Sequence, residues 1–158
     1  MFGFELPGPP TWMNPELTAV NRLPSRSPLV PFSTEEQAVR LSDEDSPFVR
    51  DLNGRWRFEL CGSPAFADPK FFEPDYADDA WAEVEVPGNW TMQGFDRPHY
   101  TNIQMPFDPA LGLVPPEVPE ANPTGLYRRE FEVSSDWDGR RIVLHFGGAE
   151  SVLYVYLN

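Results

Sequence analysis

Leu52-Asn53-Gly54-Arg55-Trp56-Arg57-Phe58-Glu59-Leu60 is the stretch on which the fold turns. Asn-Gly is a turn dipeptide, and after it Trp56, Phe58 and Leu60 alternate with Arg55, Arg57 and Glu59. A period of two sends the apolar side chains to one face of an extended chain and the charges to the other, which is the pattern of a half-buried strand. Outward from this stretch the pattern returns. Trp81, Val84 and Val86 lead into Pro87-Gly88, which must end whatever precedes it. Gly125 to Val133 alternates again through Tyr127, Phe131 and Val133. Asp138-Gly139 makes a turn into Arg140 to Phe146, and after Gly147-Gly148 the run Ser151 to Leu157 is strongly strand-forming. These runs predict an all-β chain arranged as a sandwich.

The remaining segments are predicted to be irregular. Pro7, Pro9, Pro10, Pro15, Pro24, Pro28 and Pro31 make residues 1–31 an extended arm that packs on something else. Ser33 with Glu36 three residues on is a helix-start signature, leaving at most two turns before the acidic loop 42–47. Residues 61–80 read as loop with one short helical turn. The arm and helix span 1–48, and the β-region spans 49–158. From 88 to 125 no regular element is expected, yet a structureless stretch of that length inside a compact domain implies a function.

Composition excludes several function classes. The chain of 158 residues suffices for one core. Twenty-five acids against twelve bases give a formal charge of −13, which disfavours nucleic acid and anionic membrane surfaces as partners. No apolar run reaches the roughly 18 residues of a membrane span. Nineteen prolines and 14% aromatics oppose long helices and favour short strands on rigid loops. The single cysteine, Cys61, has no partner for an internal disulfide and reads as an inert, partly buried thiol. Met1 to Pro10 has no secretory pattern, so a cytoplasmic setting is expected.

Motifs of chemistry are sparse. Asp78 with Asp79, Glu83 with Glu85, Glu117 with Glu120, and Asp136 with Asp138 are acidic pairs in loops or on a charged strand face, and all read as solvated surface. His99 and His145 lie far apart, and no acidic or cysteine spacing completes a zinc set. There is no G-x-S-x-G elbow and no Gly-rich phosphate loop. Trp90, Phe95, Tyr100 and Phe107 offer a set of loop aromatics for stacking on sugar faces, unless they anchor the loop on the sheet.

Four stretches in order carry a resemblance. They are Asn14-Pro15 with Asn21-Arg22-Leu23-Pro24; Leu52 to Phe58; Val86-Pro87-Gly88-Asn89-Trp90-Thr91-Met92-Gln93-Gly94-Phe95-Asp96-Arg97-Pro98-His99-Tyr100-Thr101-Asn102; and Asn122-Pro123-Thr124-Gly125-Leu126-Tyr127. From about Trp12 to Asn158 the chain resembles the N-terminal region of family 2 glycoside hydrolases, and within them the long bacterial β-galactosidases. The resemblance implies an extended arm followed by a jelly-roll, galactose-binding-like β-sandwich. It implies a retaining enzyme for terminal β-D-galactose, whose two catalytic glutamates sit in a later TIM-barrel domain. Retaining hydrolysis needs two carboxyl groups about 5 to 5.5 Å apart, so these residues alone are expected to be inactive.

The resemblance further implies that Asn102 reaches the active site and hydrogen-bonds galactosyl hydroxyls, with Tyr100, Ile103 and His99 beside it. An amide suits the role, since it both donates and accepts without charge. Magnesium and sodium ions of the family are implied to bind mostly outside this region. Implied partners are a galactoside, the rest of a β-galactosidase chain and further copies in a homo-oligomer. Thr91-Met92-Gln93-Gly94-Phe95 stands where relatives often carry Gln-Met-His-Gly-Tyr, so local contacts there are expected to differ. Tyr154 to Asn158 reads as a strand stopping on the first residue of a hairpin turn, as expected of the front part of a longer protein with its sandwich incomplete. The alternative is a free-standing carbohydrate-binding sandwich without a catalytic partner.

Overall fold

The computed structural model describes residues 10–40, 46–98, 112–150 and 152–158. The chain divides into two compact units. One comprises Met1–Thr18, Gly54–Arg129 and Gly148–Asn158; the other comprises Ala19–Asn53 and Glu130–Gly147.

The first unit is built on an antiparallel sheet of three strands, β1 (Gly54–Cys61), β2 (Ala82–Val86) and β3 (Thr124–Arg128), in the order β2-β1-β3. The alternating run from Arg55 to Leu60 is the central strand. Its register sets Trp56 opposite Val84, Phe58 opposite both Ala82 and Tyr127, and Leu60 opposite Gly125. Residues directly opposite share a face, so these side chains form one apolar side, and Phe58 at 1% exposure is its centre.

The other side holds Arg55, Arg57, Glu59 and Cys61 of β1, facing Glu83 and Glu85 of β2 and Leu126 and Arg128 of β3. Alternation alone predicts that this charged side faces water, but the structure divides it. Beside β2 it is open, with Arg55 Nε and Nη1 at 3.3 and 3.5 Å from Glu85 and Glu83. Beside β3 the segment between β1 and β2 folds over it, burying Ala67, Phe71, Trp81 and Leu126, with Cys61, Phe72 and Tyr76 packed against them. The expected short helical turn is present there, a 3-10 turn at Pro64–Phe66.

Arg128 holds that covering segment in place. Its Nε donates to Asp78 Oδ2 at 3.0 Å, its Nη1 donates to the carbonyls of Phe71 and Glu73, and its guanidinium lies 5.7 Å from the Tyr76 ring centre. Asp78 is therefore half of a partly buried ion pair, and the expectation of a plain solvated carboxylate there is corrected. Burial, and then the charge of Glu59, push the Cys61 thiol above its ordinary value, in keeping with an inert thiol.

The last residues lie extended on the same unit. Tyr154 hydrogen-bonds Thr11, Tyr156 stacks on Phe72 with ring centres 4.5 Å apart, and the Asn158 amide donates to the Phe72 carbonyl at 3.0 Å. Alternation here sends Tyr154, Tyr156 and Asn158 to partners and leaves Leu153, Val155 and Leu157 exposed.

In the second unit, α1 (Glu35–Arg40) is the expected short helix, with its cap moved by one residue. Thr34 Oγ1 accepts the Gln37 N–H, and Gln37 Oε1 accepts the Ser33 N–H, a reciprocal cap formed by Thr34 and Gln37 in place of Ser33 and Glu36. A backbone hydrogen bond, aided by the Thr34 hydroxyl, holds the Glu36 carboxyl below its usual range. Trp137 donates its indole N–H to the Pro47 carbonyl at 3.0 Å, and Arg140 lies over the Phe48 ring. Asp138-Gly139 turns as expected, with Gly139 at φ +75°.

Three predicted strand segments differ. Residues 131–133, 141–146 and 152–157 carry strand-forming sequence but join no sheet among the described residues. Strand propensity is realised only through a ladder partner and a covered face. Among the described residues none of the three has a ladder partner; 152–157 is held only through Tyr154, Tyr156 and Asn158, and in 141–146 Ile142 and Phe146 stay 51% and 42% exposed.

Candidate functional site

Three sequence motifs meet at one place on the apolar side of the sheet. Val86-Pro87-Gly88 ends β2, and the chain then makes a 3-10 turn at Trp90–Gln93. Gly94 closes the turn in the left-handed conformation, φ +94°, where its backbone is unstrained. Phe95 donates its N–H back to the Trp90 carbonyl at 3.2 Å.

Aromatic packing seats this turn. The Trp90 ring lies 5.8 Å and the Phe95 ring 4.7 Å from Phe58, and Tyr127 packs edge-on to Phe58 at 4.9 Å. Trp56 adds an edge contact to Tyr127 at 6.5 Å and carries the Arg129 guanidinium over its ring. Gly125 explains its own place in the third motif. A Cβ there would stand 2.7 Å from both Phe58 and Trp90, so only glycine lets the indole reach the sheet. Burial pushes the Tyr127 phenol above its ordinary value.

Trp90 and Phe95 thus pack their rings against Phe58 and are half-buried there. They anchor the turn on the sheet, the second of the two roles the sequence leaves open for these aromatics. Tyr100 and Phe107, the other two members, lie outside the described residues. So do the sequence-predicted site residues Asn102, Tyr100, Ile103 and His99. What the structure describes is the platform from which that segment leaves, ending at Pro98.

The turn has a third anchor that sequence reasoning did not single out. Gln93 Oε1 accepts the Glu85 N–H at 2.7 Å, and Gln93 Nε2 donates to the Glu85 carbonyl at 3.0 Å. Glutamine in a loop carries no signal of such a contact. Arg128 was equally illegible, because an arginine in an alternating strand reads as a solvent-facing charge.

Among the described residues the acidic pair of the sheet and Asp78 are engaged by arginines. Glu83 and Glu85 share Arg55 on an open face, and Asp78 serves Arg128. A cleft of about 400 Å³ in the second unit brings Arg50 and Glu132 beside Trp137 and Val133, which is one carboxylate and not a pair. Among the described residues no group of three or more His, Cys, Asp or Glu is placed to hold a metal ion. Among them, too, no helix is long and apolar enough to cross a membrane.

Residues 49–158 match the family described as glycosyl hydrolases family 2, sugar binding domain. Among similar proteins, a β-galactosidase of Priestia megaterium is 35% identical over 153 residues, 96% of this chain and 15% of that protein. One from Vibrio cholerae is 40% identical over 147 residues, 93% of this chain and 14% of that protein. Another, from Lactobacillus delbrueckii subsp. bulgaricus, is 32% identical over 148 residues. The chain spans about 15% of the length of the curated relatives it matches.

Proposed function

This chain belongs to family 2 of the glycosyl hydrolases, and from that premise we propose that it is the N-terminal sugar-binding region of a retaining β-galactosidase. The match over residues 49–158, which spans the motif from Val86 to Asn102, carries this reading. In it, residues 1–48 form an arm and residues 49–158 a jelly-roll sandwich, of which the antiparallel sheet β2-β1-β3 is one part. The catalytic carboxylates belong to a TIM-barrel domain supplied by the rest of the enzyme, which works as a homo-oligomer. A cytoplasmic setting agrees with a lone cysteine that has no disulfide partner in the sequence.

The contribution of these residues to catalysis is substrate recognition through Asn102. Its amide offers two donors and an acceptor to galactosyl hydroxyls that themselves both donate and accept. The seating of Trp90, Phe95 and Gln93 supports a precise role for the segment that follows, because three anchors within six residues exceed what a passive connection needs. The rival reading, a free-standing module with an aromatic sugar platform, is disfavoured by the packing of Trp90 and Phe95 against Phe58.

Asn102→Ala in the full-length enzyme tests the reading. A sugar hydroxyl left poorly paired costs on the order of 1 to 3 kcal/mol, roughly 5- to 150-fold in kcat/KM for an aryl β-galactoside. The melting temperature is expected to stay where it was. An unchanged kcat/KM refutes the role of Asn102.

A further inference from the structure

We propose that Gln93 is a positioning residue for galactoside recognition: standing in for a neighbouring strand at Glu85, it fixes the point from which the substrate-contacting segment leaves the sheet. The proposal rests on the role of Asn102 given above.

The geometry is specific. In the described sheet β2 lies at an edge, so the outward backbone groups of Glu85 have no strand beside them. The Gln93 side chain supplies what a strand residue would supply, accepting from the Glu85 N–H at 2.7 Å and donating to the Glu85 carbonyl at 3.0 Å. Exchange of both bonds with one residue is the pattern of a hydrogen-bonded pair in an antiparallel ladder. Only a primary amide carries a donor and an acceptor side by side without charge. The fit is close. A Cβ at Gly88 would stand 2.8 Å from Gln93 Nε2 and 2.8 Å from the Glu85 carbonyl oxygen, so glycine there admits the amide.

What this fixes follows from chain continuity. Trp90 and Phe95 hold the two ends of the turn on Phe58, and Gln93 pins its middle to the β2 backbone, which stops the turn from rocking about the aromatic contact. Asn102 is seven residues beyond Phe95, a tether of at most about 25 Å. A shift of the turn moves the point at which that span begins, and coupling between Gln93 and Asn102 is what the double variant reads.

Gln93→Met keeps the length and shape of the side chain and removes both bonds. In the full-length enzyme, with an aryl β-galactoside, we expect KM to rise about fivefold to tenfold with kcat little changed. Combined with Asn102→Ala, the same change should add less than about twofold, because residues acting through one contact are not additive. Should Gln93→Met fail to fold, Gln93→Asn retains the amide one methylene short and is expected to show the same rise in KM. If Gln93→Met leaves KM alone while Asn102→Ala lowers kcat/KM, Gln93 merely covers a sheet edge and the proposal is overturned. Full additivity in the double variant overturns it as well, since Gln93 would then act independently of Asn102. Loss of nothing in Asn102→Ala refutes the recognition reading itself, whatever Gln93 does.

Discussion

Arg55 to Leu60 and Arg141 to Phe146 are near-equivalent as sequence: a basic start after a turn, then strand-forming residues with aromatic and aliphatic side chains. The first is the centre of a sheet, and the second joins none. The difference lies in what each can be paired with. Phe58 has Ala82 on one side and Tyr127 on the other, and Trp90 and Phe95 on top. Leu144 has no ladder partner among the described residues and stays 37% exposed. Strand-forming sequence states a capacity; a partner strand and a cover for one face convert it into structure.

The sharpest way to break this contrast is substitution at its two centres. Phe58→Ala removes the ring on which three others pack, and the expected loss is about 3 to 5 kcal/mol, read as a fall in the urea midpoint or the disappearance of a cooperative transition. Leu144→Ala, on a half-exposed side chain, is expected to cost less than about 1 kcal/mol. Equal losses at the two positions would mean that the second run is structured as firmly as the first.

Hydrogen exchange gives a second comparison without substitution. Ladder amides of Gly54–Cys61 and Ala82–Val86 should exchange at least about 100-fold more slowly than those of 141–146 and 152–157. Protection of 141–146 matching that of β1 would contradict the unpaired state described above.

The smallest expected effect concerns pH. Tyr127 and Cys61 lie on opposite sides of the sheet, and burial raises both above their ordinary values. The folded sheet therefore holds these protons more tightly than the unfolded chain. Its stabilising contribution is full below about pH 8.5, where both groups are protonated in either state. It is lost as pH rises through the raised folded values. The second unit contains neither tyrosine nor cysteine. The urea midpoint of the sheet should decline as the solution is taken from about pH 8 to about pH 11, monitored by tryptophan fluorescence. A midpoint that rises over that interval would reverse the assigned direction.

Legibility varied with how local the cause was. Trp56, Phe58 and Leu60 announced β1 because a period of two is written into consecutive residues. Pro87-Gly88 announced the end of β2, and Asp138-Gly139 its turn, for the same reason. The cap of α1 was off by one residue because Ser33 and Thr34 both present a hydroxyl, and only the reach of Gln37 back to Ser33 selects between them. Arg128 and Gln93 were missed altogether. Arg128 answers to the Phe71 and Glu73 carbonyls and the Asp78 carboxylate, at least 50 residues away, and Gln93 to the Glu85 backbone eight residues back, and no spacing rule encodes those partners.

For the candidate site the division is the same. Residue chemistry and motif order in the sequence determined the family, because a family depends on which residues occur and in what order, and they are the ground on which Asn102 is proposed for recognition. Why the motif residues are needed was decided only in three dimensions. Gly125 is glycine because the Trp90 indole passes 2.7 Å from where a Cβ would be, and Gly88 is glycine because the Gln93 amide occupies its space. Those reasons are steric and arise between segments more than thirty residues apart or across a tight turn, so they exist only once Phe58, Trp90 and Gly125 have been brought to one point on the sheet.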